Sequence, residues 1–269
     1  MPDLTAGALP PFPGAQAIHA PPSWRCIDFV SDLHLHAELP RTTAAFVHYL
    51  AHTRADAVFI LGDLFEAWVG DDMRHEAYEG ACTTALADYG RGHWLGIMVG
   101  NRDFLLGADM AKACHAHLLD DPVMLMAFGQ SLLLTHGDAL CLADTDYLRF
   151  RAQVRTKDWQ AAFLTKPLAE RLAIAAQMRM ASAAHQQQQA PETWADVDAQ
   201  AALSWMTSAG TQLMVHGHTH RPGMFPLNAE GTSHRVVLSD WDLDHTPTPR
   251  GEILRLTPDG LKRIPLSDA

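Results

Sequence analysis

The 269-residue chain has only four cysteines, Cys26, Cys82, Cys114 and Cys141, and no two of them stand in a C-x-x-C spacing. That absence argues against a zinc ribbon and a disulfide framework and points to a reducing compartment. An unbroken apolar run of about 18 residues is also missing, so no membrane-crossing helix is expected. The first 22 residues, rich in Ala and Pro, lack the basic start and apolar stretch of a secretory signal and are expected to form a flexible extension. Basic charge is scarce too. Twenty Lys and Arg against 31 Asp and Glu leave a formal charge of -11, the wrong sign for general nucleic-acid binding.

What the chain does have is apolar substance: 48% hydrophobic residues against 19% charged, enough for a sizeable core. Its length suits one large α/β domain over residues 23–269, with an inserted smaller unit. Short apolar runs alternate with helical patterns. Strands are expected at Cys26–Val30, Ala57–Leu61, Leu95–Val99, Ser131–Thr135, Gln212–Val215 and Arg235–Leu238, with a final pair near Glu252–Leu256 and Leu261–Ile264. Helical patterns lie between, at Thr42–His52, Ala77–Tyr89 and Ala108–His115. From Leu148 to about Gln200 the composition turns to helix formers without a strand signal and includes the glutamine run Gln186–Gln189, as expected of a helical insertion. Trp68, Trp194, Trp205 and Trp241 are expected in the core, and His75, His93, His115, His117 and His245 at the surface.

Five of the strands run straight into polar clusters: Ser31-Asp32-Leu33-His34, Gly62-Asp63, Gly100-Asn101-Arg102-Asp103, His136-Gly137-Asp138 and His216-Gly217-His218-Thr219-His220. In an open α/β sheet, ligands bind outside the carboxyl ends of the strands, so clusters distant in sequence converge there. Asp32 and His34, two apart, point the same way if the backbone stays extended, as do His218 and His220. Asp63 follows a wholly apolar strand, where an uncompensated carboxylate is costly and a shared cation would relieve it. A lone histidine at a strand end is ordinarily a hydrogen-bonded structural residue, and a lone aspartate a helix cap or turn former. The argument rests on five such clusters together. Carboxylate, amide and imidazole donors suit divalent Mn²⁺, Fe²⁺ or Zn²⁺. Two such ions about 3.5–4 Å apart can share a hydroxide for in-line attack on phosphorus. Asp71 and Asp72, after Gly70, read as a solvated turn or as partners of that metal site.

The ordered motifs D-x-H, G-D, G-N-x-D, H-G-D and G-H-T-H, spanning Asp32 to His220, resemble those of the calcineurin-like metallophosphoesterases. The resemblance implies a two-sheet αββα sandwich. It implies one metal on Asp32, His34, Asp63 and His220, and a second on Asp63, Asn101, His136 and His218. That family generally has histidine after the asparagine, where it helps protonate the leaving group. This chain has Arg102, which stays charged and would clamp phosphate instead. The longer strings Gly62–Asp72, Gly100–Gly107, His136–Cys141 and His216–Pro222 are similar to those of the UDP-2,3-diacylglucosamine diphosphatases of lipid A biosynthesis.

That likeness implies hydrolysis of UDP-2,3-diacylglucosamine by a metal-bound hydroxide attacking the uridine-side phosphorus, giving UMP and 2,3-diacylglucosamine 1-phosphate. It implies Mn²⁺ as the usual metal and a peripheral position at the cytoplasmic face of the inner membrane. Asp63, Asn101 and Arg102 would then be catalytic, with Asn101, Arg102 and His218 also touching substrate. Asp144 and Ser182 match further substrate-contacting positions. Two more, Asn and Lys in the family, fall on Gln186 and Gln189, a departure from its pattern. The helical insertion would be a cap over the site, its apolar residues Phe163, Leu164, Leu168, Leu172, Ile174, Met178 and Met180 lining an acyl groove or packing the cap helices on one another. The rival expectations are a phosphoesterase for another nucleoside diphosphate compound and a binding module that keeps the fold without catalysis.

Overall fold

A computed structural model describes residues 9–187, 196–245 and 248–269. Along the chain run strands β1 (Gln16–His19) and β2 (Ile27–Val30), helix α1 (Pro40–His52), β3 (Ala57–Leu61), α2 (Ala77–Gly90), β4 (Trp94–Met98), α3 (Ala108–Ala113), β5 (His117–Leu119), β6 (Val123–Ala127) and β7 (Gln130–Thr135). Helices α4 (Thr145–Val154), α5 (Lys157–Leu164), α6 (Leu168–Gln187) and α7 (Ala199–Ala209) follow. The chain then forms β8 (Leu213–His216), β9 (Gly223–Pro226), β10 (His234–Val237), β11 (Glu252–Thr257) and β12 (Gly260–Pro265).

The strands make two six-stranded sheets, ordered β1-β6-β7-β8-β10-β9 and β12-β11-β2-β3-β4-β5. In the second, β2 through β5 are parallel and β11 is antiparallel to β2. Side chains alternate along each strand, and here both faces are covered. Ile27, Phe29, Ala57, Phe59 and Leu61 face inward and meet Val123, Leu125, Leu132, Leu134, Val215 and Val236 of the other sheet. The alternate residues Val30, Val58, Ile60, Leu95 and Ile97 face outward onto α1, α2 and α3 through Phe46, Tyr49, Leu86 and Met110. On the far side Met124, Leu133 and Met214 pack on Ala201, Ala202, Trp205 and Met206 of α7. The result is the expected αββα sandwich.

Local chemistry fixes the helix ends. Pro40 opens α1 where its missing N–H costs nothing. Asp144, Thr156 and Asp198 cap α4, α5 and α7, each accepting from the backbone N–H three residues on, and Gly210 ends α7 at φ +70°.

Three expectations change. The flexible extension through residue 22 does not hold for Gln16–His19, which pairs in parallel with Val123–Met126 at the edge left open by β6. Further back, the Trp205 indole N–H donates to the Pro10 carbonyl at 3.1 Å and its ring meets Phe12 edge-on. Backbone pairing and one aromatic contact hold the segment, neither visible in an Ala/Pro composition. Second, the helical stretch expected over 148–200 begins at Thr145, and its last residues already belong to α7, a helix of the outer layer. Third, Asp71 is neither a solvated turn nor a partner of the metal site. It accepts from the Trp68 indole and from the Gly107 and Met110 N–H groups, holding the start of α3. Its neighbour Asp72 pairs with Arg171 of α6. Trp68, Trp205 and Trp241 are buried, the five surface histidines are exposed, and Trp194 lies outside the described residues.

Candidate metal centre

Strands β2, β3, β4, β7 and β8 carry their polar clusters to one edge of the sandwich, so residues up to 188 positions apart in the chain meet. His34 Nε2 lies 3.2 Å from His220 Nε2, and His220 Nε2 lies 3.3 Å from Asp32 Oδ1. On the other side the Asn101 side-chain oxygen is 3.0 Å from His136 Nε2 and 2.8 Å from His218 Nδ1. Asp63 stands between the two halves. Its Oδ1 is 3.7 Å from His136 Nε2 and its Oδ2 3.9 Å from His34 Nε2. Two sets, Asp32-His34-His220 and Asp32-Asp63-His136, bring their donor atoms within 4.8 Å of one another.

The backbone is held in an unfavourable form to make this meeting possible. Asp32, His34, Asp63, His218 and His220 all have positive φ, between 48° and 66°. A non-glycine residue is uncommon there, and such strain persists only where the surrounding structure over-determines it. The hydrogen bonds that do so are present. Asp32 N–H donates to the Gly62 carbonyl, His34 N–H to the Asp63 carbonyl, and His218 N–H to the Asp32 carboxylate at 2.9 Å. Arg102 N–H donates to Asp63 Oδ1 at 2.8 Å.

Glycine is required beside these groups. A Cβ on Gly100 would sit 2.1 Å from Asp63 Oδ1, so any side chain there would expel the carboxylate.

Charge completes the fit. Asp32, Asp63 and Asp103 are buried, and anions out of water demand positive charge or hydrogen bonds. Asp103 has both oxygens occupied, accepting from Gly100 N–H at 2.7 Å and Leu64 N–H at 2.8 Å. Burial, reinforced by the Asp63 charge, nevertheless raises its carboxyl to about 6. Burial alone would keep His136 neutral, yet the Asp63, Asp32 and Asp138 carboxylates outweigh it and push the imidazole up to about 9. Desolvation, with the facing His136 adding to it, pushes the partly exposed His218 down to about 4. The cluster therefore calls for cationic charge at its centre, which a protonated imidazole or a divalent cation meets, and its oxygen and imidazole donors suit such a cation.

The calcineurin-like phosphoesterase family model matches residues 27–222, an interval that contains every one of these donors. The chain belongs to that family. As a calcineurin-like phosphoesterase it is a metal-dependent hydrolase and uses divalent ions. It is 43% identical over 218 residues to the UDP-2,3-diacylglucosamine hydrolase of Cellvibrio japonicus, covering 79% of this chain and 90% of that one. To the protein of the same name in Chromobacterium violaceum it is 43% identical over 244 residues, covering 90% and 99%. Among solved structures, the phosphoesterase Yfce of E. coli aligns at TM-score 0.46 and 15% identity, covering 91% of this chain and 95% of that one.

Of the remaining expected site residues of this phosphoesterase, the structure describes the side chains of Arg102 and Asp144. Arg102 follows Asn101 and places Nη1 3.6 Å from Glu66 Oε1. Asp144 accepts from Tyr147 N–H as a helix cap, and the Tyr147 ring stacks on His218 with centroids 6.1 Å apart. Ser182 and Gln186 lie on the backbone of α6, with side chains outside the described atoms, and Gln189 lies outside the described residues. Of the apolar residues of the helical stretch, Phe163, Leu168 and Ile174 pack on the core beside α3, while Leu164, Leu172, Met178 and Met180 are exposed.

Sequence reasoning placed Asp138 in a strand-end cluster without giving it a role, and missed the residues that hold it behind the centre. The buried Asp138 accepts from the Tyr147 hydroxyl and from Arg151 Nε at 2.8 Å, and Arg155 donates to the Gly100 carbonyl at 2.8 Å. Helix α4 is thereby tied to two of the site loops. Glu66 was missed as well, although it is the one charged residue in the otherwise apolar string Leu64-Phe65-Glu66-Ala67-Trp68.

Proposed function

We propose that this chain hydrolyses the diphosphate of UDP-2,3-diacylglucosamine, releasing UMP and 2,3-diacylglucosamine 1-phosphate. The reading is carried by one observation: relatives of that name match 79–90% of the chain at 43% identity, in a chain whose phosphoesterase family match spans the strained donor cluster.

In this reading Asp32, His34, Asp63 and His220 hold one ion and Asp63, Asn101, His136 and His218 the other, with Mn²⁺ as the metal. A bound pair would supply Lewis-acid charge for the phosphoryl oxygens and activate the attacking water. The protein's own part is placement. Asp63 is fixed by the Arg102 N–H, so the residue between the two donor sets cannot swing away. Arg102 presents a permanent cation to the diphosphate in place of a proton donor, which suffices because a phosphate leaving group is already acidic. Asn101 and His218 contact substrate as well as metal, with Asp144, Ser182, Gln186 and Gln189 around the head group.

Helices α4 to α6 form the cap, and the exposed Leu164, Leu172, Met178 and Met180 offer apolar surface to the acyl chains. Among the described residues no helix is long and apolar enough to cross a membrane. The enzyme reaches its lipid substrate as a peripheral protein at the cytoplasmic face of the inner membrane.

The test is to load the protein with Mn²⁺, supply UDP-2,3-diacylglucosamine and, separately, unacylated UDP-sugars, and measure UMP release. The acylated substrate should be strongly preferred. Equal or faster turnover of the unacylated sugars would overturn the assignment in favour of another nucleoside diphosphate substrate.

A further inference from the structure

Three histidines of the centre, His34, His136 and His220, have a second ring nitrogen turned away from the donor cluster, and what that nitrogen meets differs from residue to residue. His136 Nδ1 meets the Leu61 carbonyl at 2.9 Å, a neutral partner. His220 Nδ1 lies 3.9 Å from Asp240, which Arg250 already engages at 2.7 Å. His34 Nδ1 lies 3.0 Å from Glu66 Oε2. That contact is out of line for a hydrogen bond, so it is electrostatic as it stands, and a small ring rotation would align it.

The other oxygen of Glu66 is engaged from two directions. Arg102 Nη1, from the loop after β4, and Arg179 Nη1, from α6, each lie 3.6 Å from Oε1. The Arg179 Nε is buried without a hydrogen-bond partner, so that guanidinium is not satisfied elsewhere on this side. Two turns earlier on α6, Arg171 donates to the Val69 carbonyl and pairs with Asp72. Residues eight apart on a helix stand about 12 Å apart along it. Helix α6 is thus pinned to the loop following β3 at two points, and Glu66 is the one beside the metal centre.

We propose that Glu66 is a positioning residue that couples three parts of the site: it orients the His34 imidazole for metal binding, holds the Arg102 guanidinium, and docks α6 through Arg179. An anion beside Nδ1 favours the tautomer with the proton there, leaving the Nε2 lone pair free toward Asp63 and His220. The same anion lets two arginines stand together that would otherwise repel, and both remain partly exposed beside the centre. That pair of cations suits a ligand with two adjacent phosphate groups. The substrate part of this inference rests on the proposed diphosphatase activity, whereas the metal part does not.

The experiment compares wild type, Glu66→Gln and Arg179→Met. Metal-stripped proteins are titrated with Mn²⁺ by calorimetry, and kcat and KM are measured for UMP release. Glu66→Gln should weaken Mn²⁺ binding at one of two sites by roughly 10–100-fold, the usual effect of losing a carboxylate behind a ligating histidine, and should also raise KM. Arg179→Met should raise KM and leave Mn²⁺ affinity at the wild-type value. Wild-type Mn²⁺ affinity in Glu66→Gln overturns the proposal. So does an Arg179→Met variant that loses metal equally, since Glu66 would then act only by seating α6. If Glu66→Gln does not fold, Glu66→Asp, which keeps the charge but withdraws it by one methylene, is read the same way. A wild-type protein that binds two Mn²⁺ ions yet releases no UMP refutes the substrate reading and leaves the metal arm of this test intact.

Discussion

Gly62 and His136 touch: a Cβ built on residue 62 would stand 2.4 Å from the imidazole Nδ1, and the Gly62 backbone has φ +90°. Both facts follow from β3 and β7, in different sheets, ending at the same place. Gly62→Ala must therefore strain the backbone and displace a buried ring. The expected cost is about 2–4 kcal/mol of stability, combining left-handed strain with overpacking. Urea unfolding of the metal-free protein measures the first effect and bound Mn²⁺ per chain the second. A variant with wild-type stability and full metal content would mean that His136 has room to move.

Asp63 offers one oxygen toward His136 and the other toward His34. Asp63→Ala should thus reduce the metal bound at both positions. Loss of a residue that only supports a ligand costs 10–100-fold, so loss of this group should lower turnover by more than about 100-fold. Metal analysis after dialysis, together with UMP release in a chelator-cleaned assay, checks this. Full activity without added metal would sink the two-ion reading.

Much of this arrangement is legible in the sequence, and what is not has a common cause. Strands β2, β3, β4, β7, β8 and β10 announce themselves as apolar runs, and all but β10 end in a donor cluster. Because parallel strands share a carboxyl edge, their convergence follows from order alone. The missed strands β1, β5, β6 and β9 include three sheet edges, and those three are only three or four residues long. Edge strands are defined by what they pair with more than by their own pattern. Glu66 and Tyr147 were missed, and Asp138 left without a role, for a related reason. A carboxylate at position 66 looks solvated until α6 and β2 bring Arg179 and His34 to it. Arg102 was the opposite case, since its departure from a motif marked it in the sequence.

Arg255 and Asp28 are directly opposed on the antiparallel pair β11 and β2, with Nε and Nη2 donating to the two carboxylate oxygens at 2.7 and 2.8 Å. Tyr49 and Thr53 hydroxyls complete the shell of the fully buried Asp28. Arg255→Met would leave that charge buried with only the two hydroxyls and the Cys26 thiol as partners. Breaking such a pair costs about 3–5 kcal/mol, and the lower end applies here because Arg255 is partly exposed. Denaturant midpoints measure the loss. Activity per folded molecule should be unchanged, since the pair lies away from the donor cluster.

Asp196 receives two hydrogen bonds from Arg235 of β10, at 2.6 and 2.7 Å, and lies 3.6 Å from Arg221, the residue after His220. Partial burial would raise its carboxyl, but the Arg235 hydrogen bonds and charge outweigh it and hold the carboxyl below the usual aspartate range. A folded value below the unfolded one means that the pair stabilises fully above the ordinary carboxylate range. That contribution is lost as pH falls from about 3.8 toward the depressed value. Asp196→Asn should therefore cost about 1 kcal/mol at pH 7, discounted for solvent screening of a half-buried pair. The gap between variant and wild type should close as the pH drops through that window. Unfolding curves from pH 7 down to pH 3 check it, and a difference that stays constant to the lowest pH would show that the contact works through hydrogen-bond shape and not through the aspartate charge.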